Sequence, residues 1–185
     1  MIREVIAFAK RPVYAQDPDR SWKYRFGVLL DLTLWCLGVN LVLGTLAGMV
    51  ASAAGADLGP HKVETFLEHY PLLFVAAYAV VLAPVLEEGL FRGPLYFFRR
   101  PGLFPWAFYG FTTAFGLLHA FNFPAWQENW ALLPLLIAPQ CATGVFLGFI
   151  RVRFGLPWSM GLHALYNLIL LGPALYLQFC QPTTP

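Results

Sequence analysis

Charge is scarce in this chain. Of its 185 residues only 12% are Asp, Glu, Lys or Arg, about half the share of an ordinary soluble domain. Cysteine is scarce too. Cys36, Cys141 and Cys180 lie in apolar segments without C-x-x-C or Cys/His spacing, and an odd number of such thiols argues against a disulfide framework. They read as small buried hydrophobes. There is no internal repeat, no low-complexity tract and no typical secretory signal, because Met1–Lys10 carries only short apolar patches with Arg3 and Glu4 among them. A net charge of +2, without a basic stripe interleaved with aromatics, gives no basis for a nucleic-acid partner.

What fills the space is hydrophobicity: 58% of residues are apolar, with 17 Phe and 6 Trp, and the mean hydropathy is +0.60. A spanning helix needs about 20 mostly apolar residues, and about five segments qualify. They run from about Gly27 to Ala54, Pro71 to Phe98, Leu103 to Phe121, Trp130 to Ile150 and Leu156 to Phe179. The connections are short and marked by Gly55, Gly59-Pro60, Pro101-Gly102, Pro124 and Pro157. The expected fold is all-α: a polytopic transmembrane helical bundle of about five spans plus a short N-terminal interfacial helix, whose face carries Ile2, Val5, Ile6 and Ala9. Residues 1–26 form a basic N-terminal segment, and residues 27–185 a single transmembrane domain.

Lys and Arg are placed asymmetrically. Arg3, Lys10, Arg11, Arg20, Lys23 and Arg25 precede the first span, Arg99 and Arg100 follow the second, and Arg151 and Arg153 follow the fourth. The remaining loops hold only Lys62, among Asp57, Glu64, Glu68 and Glu128. The positive-inside rule puts the N-terminus in the cytoplasm and the C-terminus outside. Gly44/Gly48 and Gly144/Gly148 are small-xxx-small pairs that let helix backbones approach within the bundle.

Ionisable residues inside the spans carry the functional signal, because losing water is costly there and such groups face the protein interior. The second span holds Glu87, Glu88 and Arg92. The third holds His119, one turn after Phe115 and just before Asn122, and the fifth holds His163 and Asn167. Asp31, near the cytoplasmic end of the first span, reads as interfacial, and Asn40 as an interhelical hydrogen-bond partner.

Glu88 and Arg92 are four apart and share a helical face, so they can pair. Glu87 is rotated by about 100°, so one carboxylate can be held while its neighbour points into a cavity. His163 and Asn167 are also four apart, and their side chains can donate two hydrogen bonds to one oxygen, the requirement of an oxyanion hole. A carboxylate, two histidines, an amide and an arginine are the parts of a hydrolytic site. Depth disagrees with that convergence. At about 1.5 Å rise per residue, Glu87 lies roughly 18 Å from Arg99, His163 roughly 10 Å from the start of its span and His119 roughly 24 Å from the start of its own.

Glu87-Glu88-x-x-x-Arg92, Phe115-x-x-x-His119 and His163-x-x-x-Asn167, in that order and each inside an apolar span, resemble the three motifs of the CAAX protease and bacteriocin-processing (Abi) family of glutamate-dependent intramembrane proteases. The resemblance covers about residues 71–179. It implies Glu87 as the general base that activates a water with help from His119, Glu88 held by Arg92 in support, and His163 and Asn167 as donors to the tetrahedral oxyanion. It implies no cofactor and no metal. The partners it implies are the lipid bilayer and a membrane-associated protein or peptide substrate: a prenylated tail, a bacteriocin leader or a sorting signal. Many relatives have more spans. The small single-module layout points to a bacterial cell membrane.

Three other readings compete. Glu87, His119 and His163 form a His₂Glu zinc set, though no His-Glu-x-x-His is present. A non-catalytic scaffold or immunity protein can keep the same fold. A proton-relaying transporter can also bury Glu and His, but internal repeats are lacking. Ser159, one turn before His163, has no Gly-x-Ser-x-Gly around it and is not expected to be a nucleophile.

Overall fold

The computed structural model describes residues 1–19 and 21–180, with side chains placed as far as Leu177. Arg20, the side chain of Cys180 and residues 181–185, named above, lie outside the described residues. All regular structure in the described part is helical. The apolar runs become α2 (Trp22–Ala53), α6 (Phe104–Ala120), α7 (Leu133–Phe154) and α8 (Leu156–Cys180). The second run is split into α4 (Leu72–Ala77), a π-helical turn (Tyr78–Leu82), α5 (Ala83–Phe91) and a 3-10 turn (Pro94–Phe98). Two short amphipathic helices, α1 (Ile2–Lys10) and α3 (Lys62–His69), flank the bundle.

Among the described residues four helices are long and apolar enough to cross a membrane: Trp22–Ala53, Leu72–Phe98, Trp130–Phe154 and Leu156–Leu177. The expected third span is α6, which has 17 residues. That length covers about 25 Å, less than the roughly 30 Å of a hydrocarbon core. Proline and glycine set its limits, since Pro101-Gly102 precedes it and a turn running into Pro124 ends it.

Helix α7 is the centre of the bundle, with α2, α6 and α8 packed around it and α5 against α8 and α6. The core is aromatic: Phe104, Phe108, Phe115, Phe146 and Phe149 are buried with Leu32, Leu147 and Ile150. Outward residues such as Leu34, Leu41, Val42 and Leu90 are apolar and exposed, as a lipid-facing surface requires. The two small-xxx-small pairs behave differently. A Cβ on Gly144 would sit 2.9 Å from the Thr112 side chain, and one on Gly148 would sit 2.5 Å from the Phe108 ring, so these glycines let α6 approach α7. A Cβ on Gly44 or Gly48 would meet nothing within 4 Å, so this pair makes no helix contact.

The ends of the helices fall on two faces. On one, the N-terminal segment docks: Arg153 bonds Asp17 and Glu4, Asp17 N–H donates to the Arg153 carbonyl at 3.1 Å, and Arg99 lies over Tyr14. Helix α1 buries Val5 and Phe8 there, Phe8 meeting Phe104, Phe108 and Phe149, while Ile6 of the expected face is exposed. On the other face the 55–62 and 121–129 segments join, through Lys62 N–H to the Asn122 carbonyl at 3.0 Å and Asn129 Nδ2 to the Asp57 carbonyl at 2.9 Å. Asn40 links α2 to α7, as expected, by accepting from Thr143 Oγ1 at 3.2 Å.

Candidate active site

Glu88 is the anchor of the site. Its side chain is fully buried on α5, and Oε1 accepts from Arg92 Nη1 at 3.1 Å and from His163 Nδ1 at 3.1 Å. Oε2 accepts from the Ser159 hydroxyl. A buried charge is tolerated only when paired and hydrogen-bonded, and this one carboxylate ties α5 to Ser159 and His163 on the inner face of α8. Arg92 is buried as well. Its guanidinium sits 4.0 Å from the centroid of the Phe115 ring, a cation–π contact without water to weaken it. Arg92 lies where α5 ends. Its carbonyl accepts from Arg151 Nε at 3.1 Å, and a Cβ on the next residue, Gly93, would meet the Gly89 carbonyl oxygen at 2.3 Å. Glycine thus permits the tight turn that holds Arg92 facing inward.

Glu87 has the opposite character. Its side chain is 23% exposed, yet Oε2 is buried without a hydrogen-bond partner. That atom lies 3.8 Å from His119 Nε2 and 3.9 Å from His163 Nε2. The residues whose depths disagreed along their own helices therefore meet. The short α6 ends one residue after His119, and the second span is broken between α5 and the 3-10 turn, so depths counted along straight α-helices do not hold.

The two imidazoles are oriented by different partners. His119 Nδ1 lies 2.8 Å from the Phe115 carbonyl, an acceptor, so Nδ1 carries the hydrogen and Nε2 is free to accept in the neutral ring. His163 Nδ1 donates to Glu88 and leaves Nε2 turned toward Glu87. Phe115 serves three groups at once, since its ring edge also meets His163, with centroids 6.0 Å apart.

Asn167 is held by the second span. Its Nδ2 donates to the Ala79 carbonyl at 2.7 Å. Ala79 lies in the π-helical turn, where the next acceptor pattern reaches Pro84, a residue without an N–H. The asparagine supplies a donor that the helix cannot. One amide hydrogen is thereby used, and the second is left for the cavity.

That cavity has a volume of about 940 Å³, and Glu87, His119, His163 and Asn167 all line it, with Gln140, Thr143 and Tyr166. It continues to His61, Lys62, Glu64 and Asn122. The sequence pattern found Glu87, Glu88, Arg92, His119, His163 and Asn167, and all six lie in or directly against this site. It missed Ser159 as a partner of Glu88. The signal was there, because Ser159, His163 and Asn167 recur every four residues on one helical face. Tyr166 and Gln140 carried no such signal.

Among the described residues no three His, Cys, Asp or Glu side chains are grouped so that they could hold a metal ion. No curated protein and no solved structure matches the chain. A family model described as type II CAAX prenyl endopeptidase Rce1-like matches residues 69–169, more than half of the chain and the whole stretch from Glu87 to Asn167, so the chain belongs to that family and is, in general terms, a CAAX-type intramembrane protease.

Proposed function

We propose that this protein is a glutamate-dependent intramembrane endopeptidase that hydrolyses a peptide bond in a membrane-associated protein. The observation that carries the reading is the unpartnered Glu87 Oε2 between two imidazole nitrogens. Glu87 Oε2 and His119 Nε2 are both acceptors, too far apart at 3.8 Å for a direct bond. A water between them donates to both and points its lone pair at a carbonyl carbon entering the cavity.

The reaction then balances as follows. The water oxygen bonds to the carbonyl carbon while Glu87 takes its proton. The oxyanion accepts from His163 Nε2–H and from the second amide hydrogen of Asn167. The C–N bond breaks, the proton passes from Glu87 to the leaving amine, and a carboxyl and an amino terminus depart. While the oxyanion is held, His163 uses both ring nitrogens as donors, Nδ1–H to Glu88 and Nε2–H to the oxyanion. Glu88, Arg92 and Ser159 hold His163 in place rather than touch substrate.

The Lys and Arg distribution supports a cytoplasmic N-terminus, and we take the setting to be a bacterial cell membrane. The test compares membrane neo-termini in cells making the wild-type chain or Glu87→Gln. Termini present with wild type and lost with the variant are expected. The purified variant should cleave such a substrate about 10²–10⁴-fold more slowly, the usual worth of a general base. Full turnover by Glu87→Gln refutes the mechanism.

A further inference from the structure

We propose that substrate reaches Glu87 from the membrane face opposite the basic loops, so that the cleaved bond belongs to a membrane-anchored polypeptide on the extracytoplasmic side. This rests on the protease reading above and names the substrate class of that same site.

Two observations fix the direction. The first is charge. The face that gathers the N-terminal segment, the start of α6 and the α7–α8 junction holds Arg3, Lys10, Lys23, Arg99, Arg100 and Arg153. Among the described residues the opposite face holds Lys62 as its one lysine or arginine, with Asp57, Glu64, Glu68 and Glu128. By the positive-inside rule the first face is cytoplasmic. The second is the course of the cavity. Its lining reaches His61, Lys62, Glu64 and Asn122, all at the acidic face, and takes no described residue from segments 1–25, 92–112 or 151–158.

On the basic side the site is sealed. The buried Glu88–Arg92 pair, the Phe115 ring beneath it and the Arg151 bond to the Arg92 carbonyl lie between the cavity and that face. On the other side α6 stops short. Its 17 residues end one position past His119, and Asn122 of the following turn already lines the cavity. The outer surface therefore dips to the imidazole. Water and an extended chain have a route to Glu87 from there. Apolar Val63, Phe66 and Leu170 border that route, suiting a segment that emerges from the bilayer. A tail confined to the cytoplasmic leaflet lies on the sealed side.

Thiol accessibility tests this without any need for activity. In a chain with Cys36→Ala, Cys141→Ala and Cys180→Ala, single cysteines are placed by Glu64→Cys at the mouth, Ala83→Cys one turn before Glu87, and Arg100→Cys on the basic loop. Intact cells are treated with a membrane-impermeant trimethylammonium methanethiosulfonate. Glu64→Cys and Ala83→Cys should be modified, and Arg100→Cys only after permeabilisation. Modification of Ala83→Cys from the cytoplasmic side alone, or from neither side, overturns the proposal. A second measurement uses the unsubstituted chain: trypsin should cut at Arg99–Arg100 in inside-out vesicles only and at Lys62 in right-side-out vesicles only, and the reverse overturns it. If cells making the wild-type chain show no membrane neo-termini beyond those seen with Glu87→Gln, the protease reading falls while the route remains, so the two failures are distinguishable.

Discussion

At the scale of single residues, adjacent carboxylates are given different work by their partners. Glu88 accepts from Arg92, His163 and Ser159, whereas Glu87 Oε2 accepts from nothing. Removing one member of a buried ion pair strands the other. Arg92→Ala should therefore cost about 3–5 kcal/mol, read as a lowered Tm in detergent. Arg92→Lys should not restore it fully, because a lysine cannot reproduce the planar stack on Phe115. A wild-type Tm for Arg92→Ala contradicts the account. The Glu88–Arg92 pair was legible from spacing alone. The Ser159 bond was only half legible, because spacing puts the serine on the His163 face of α8 but does not say which helix crosses that face.

At the scale of elements, the second apolar run shows how helix irregularities build a site. Pro84 withholds an N–H, the chain widens into a π-helical turn at Tyr78–Leu82, and the Ala79 carbonyl is taken by Asn167 from α8. The α6–α7 contact depends instead on missing side chains. Gly148→Ala should cost about 1–3 kcal/mol, since the new methyl would overlap the buried Phe108 ring. Gly44→Ala should stabilise by about 0.5–1 kcal/mol, since alanine favours helix and meets nothing there. Equal melting shifts for the two would refute the packing argument.

Helix α3, at the cavity mouth, starts on His61, whose Nδ1 accepts the Val63 N–H at 3.3 Å. Burial lowers His61 below its ordinary 6.5, and Glu64 only partly opposes this. The folded state thus favours the neutral ring. Its contribution is full above pH 6.5 and is lost as pH falls through the lowered value. Amide exchange at Val63, corrected for intrinsic rate, should accelerate on acidification through that range, and a His61→Asn cap should remove the effect.

At the scale of the whole molecule, the N-terminal segment is strapped to the end of α7 by ionic contacts. Burial alone would raise Asp17, but the Asp19 N–H, Arg153 and the Tyr24 hydroxyl donate to it and hold it below 3.8. A lowered carboxyl stabilises above its unfolded value and loses that contribution as pH falls through the folded one. Hydrogen exchange of residues 1–19, corrected for intrinsic rate, should therefore rise as pH drops below 3.8, while Asp17→Asn should exchange faster already at neutral pH and lose that acid-dependent step. An unchanged acid profile in the variant would show that the strap lies elsewhere.

The sequence by itself determined the class of fold, the apolar runs, the uneven placement of lysine and arginine and the six polar residues of which the candidate site is built. These follow from local rules: hydrophobic length, helical spacing and the cost of burying charge. Tertiary structure decided the rest. It decided that α6 is short enough to end beside Glu87, that His119 and His163 turn their free nitrogens to the same oxygen, that Ser159 serves Glu88, and that the cavity runs on to His61, Glu64 and Asn122. Each depends on where separate helices stop and cross, and neither length nor spacing along one chain carries that information.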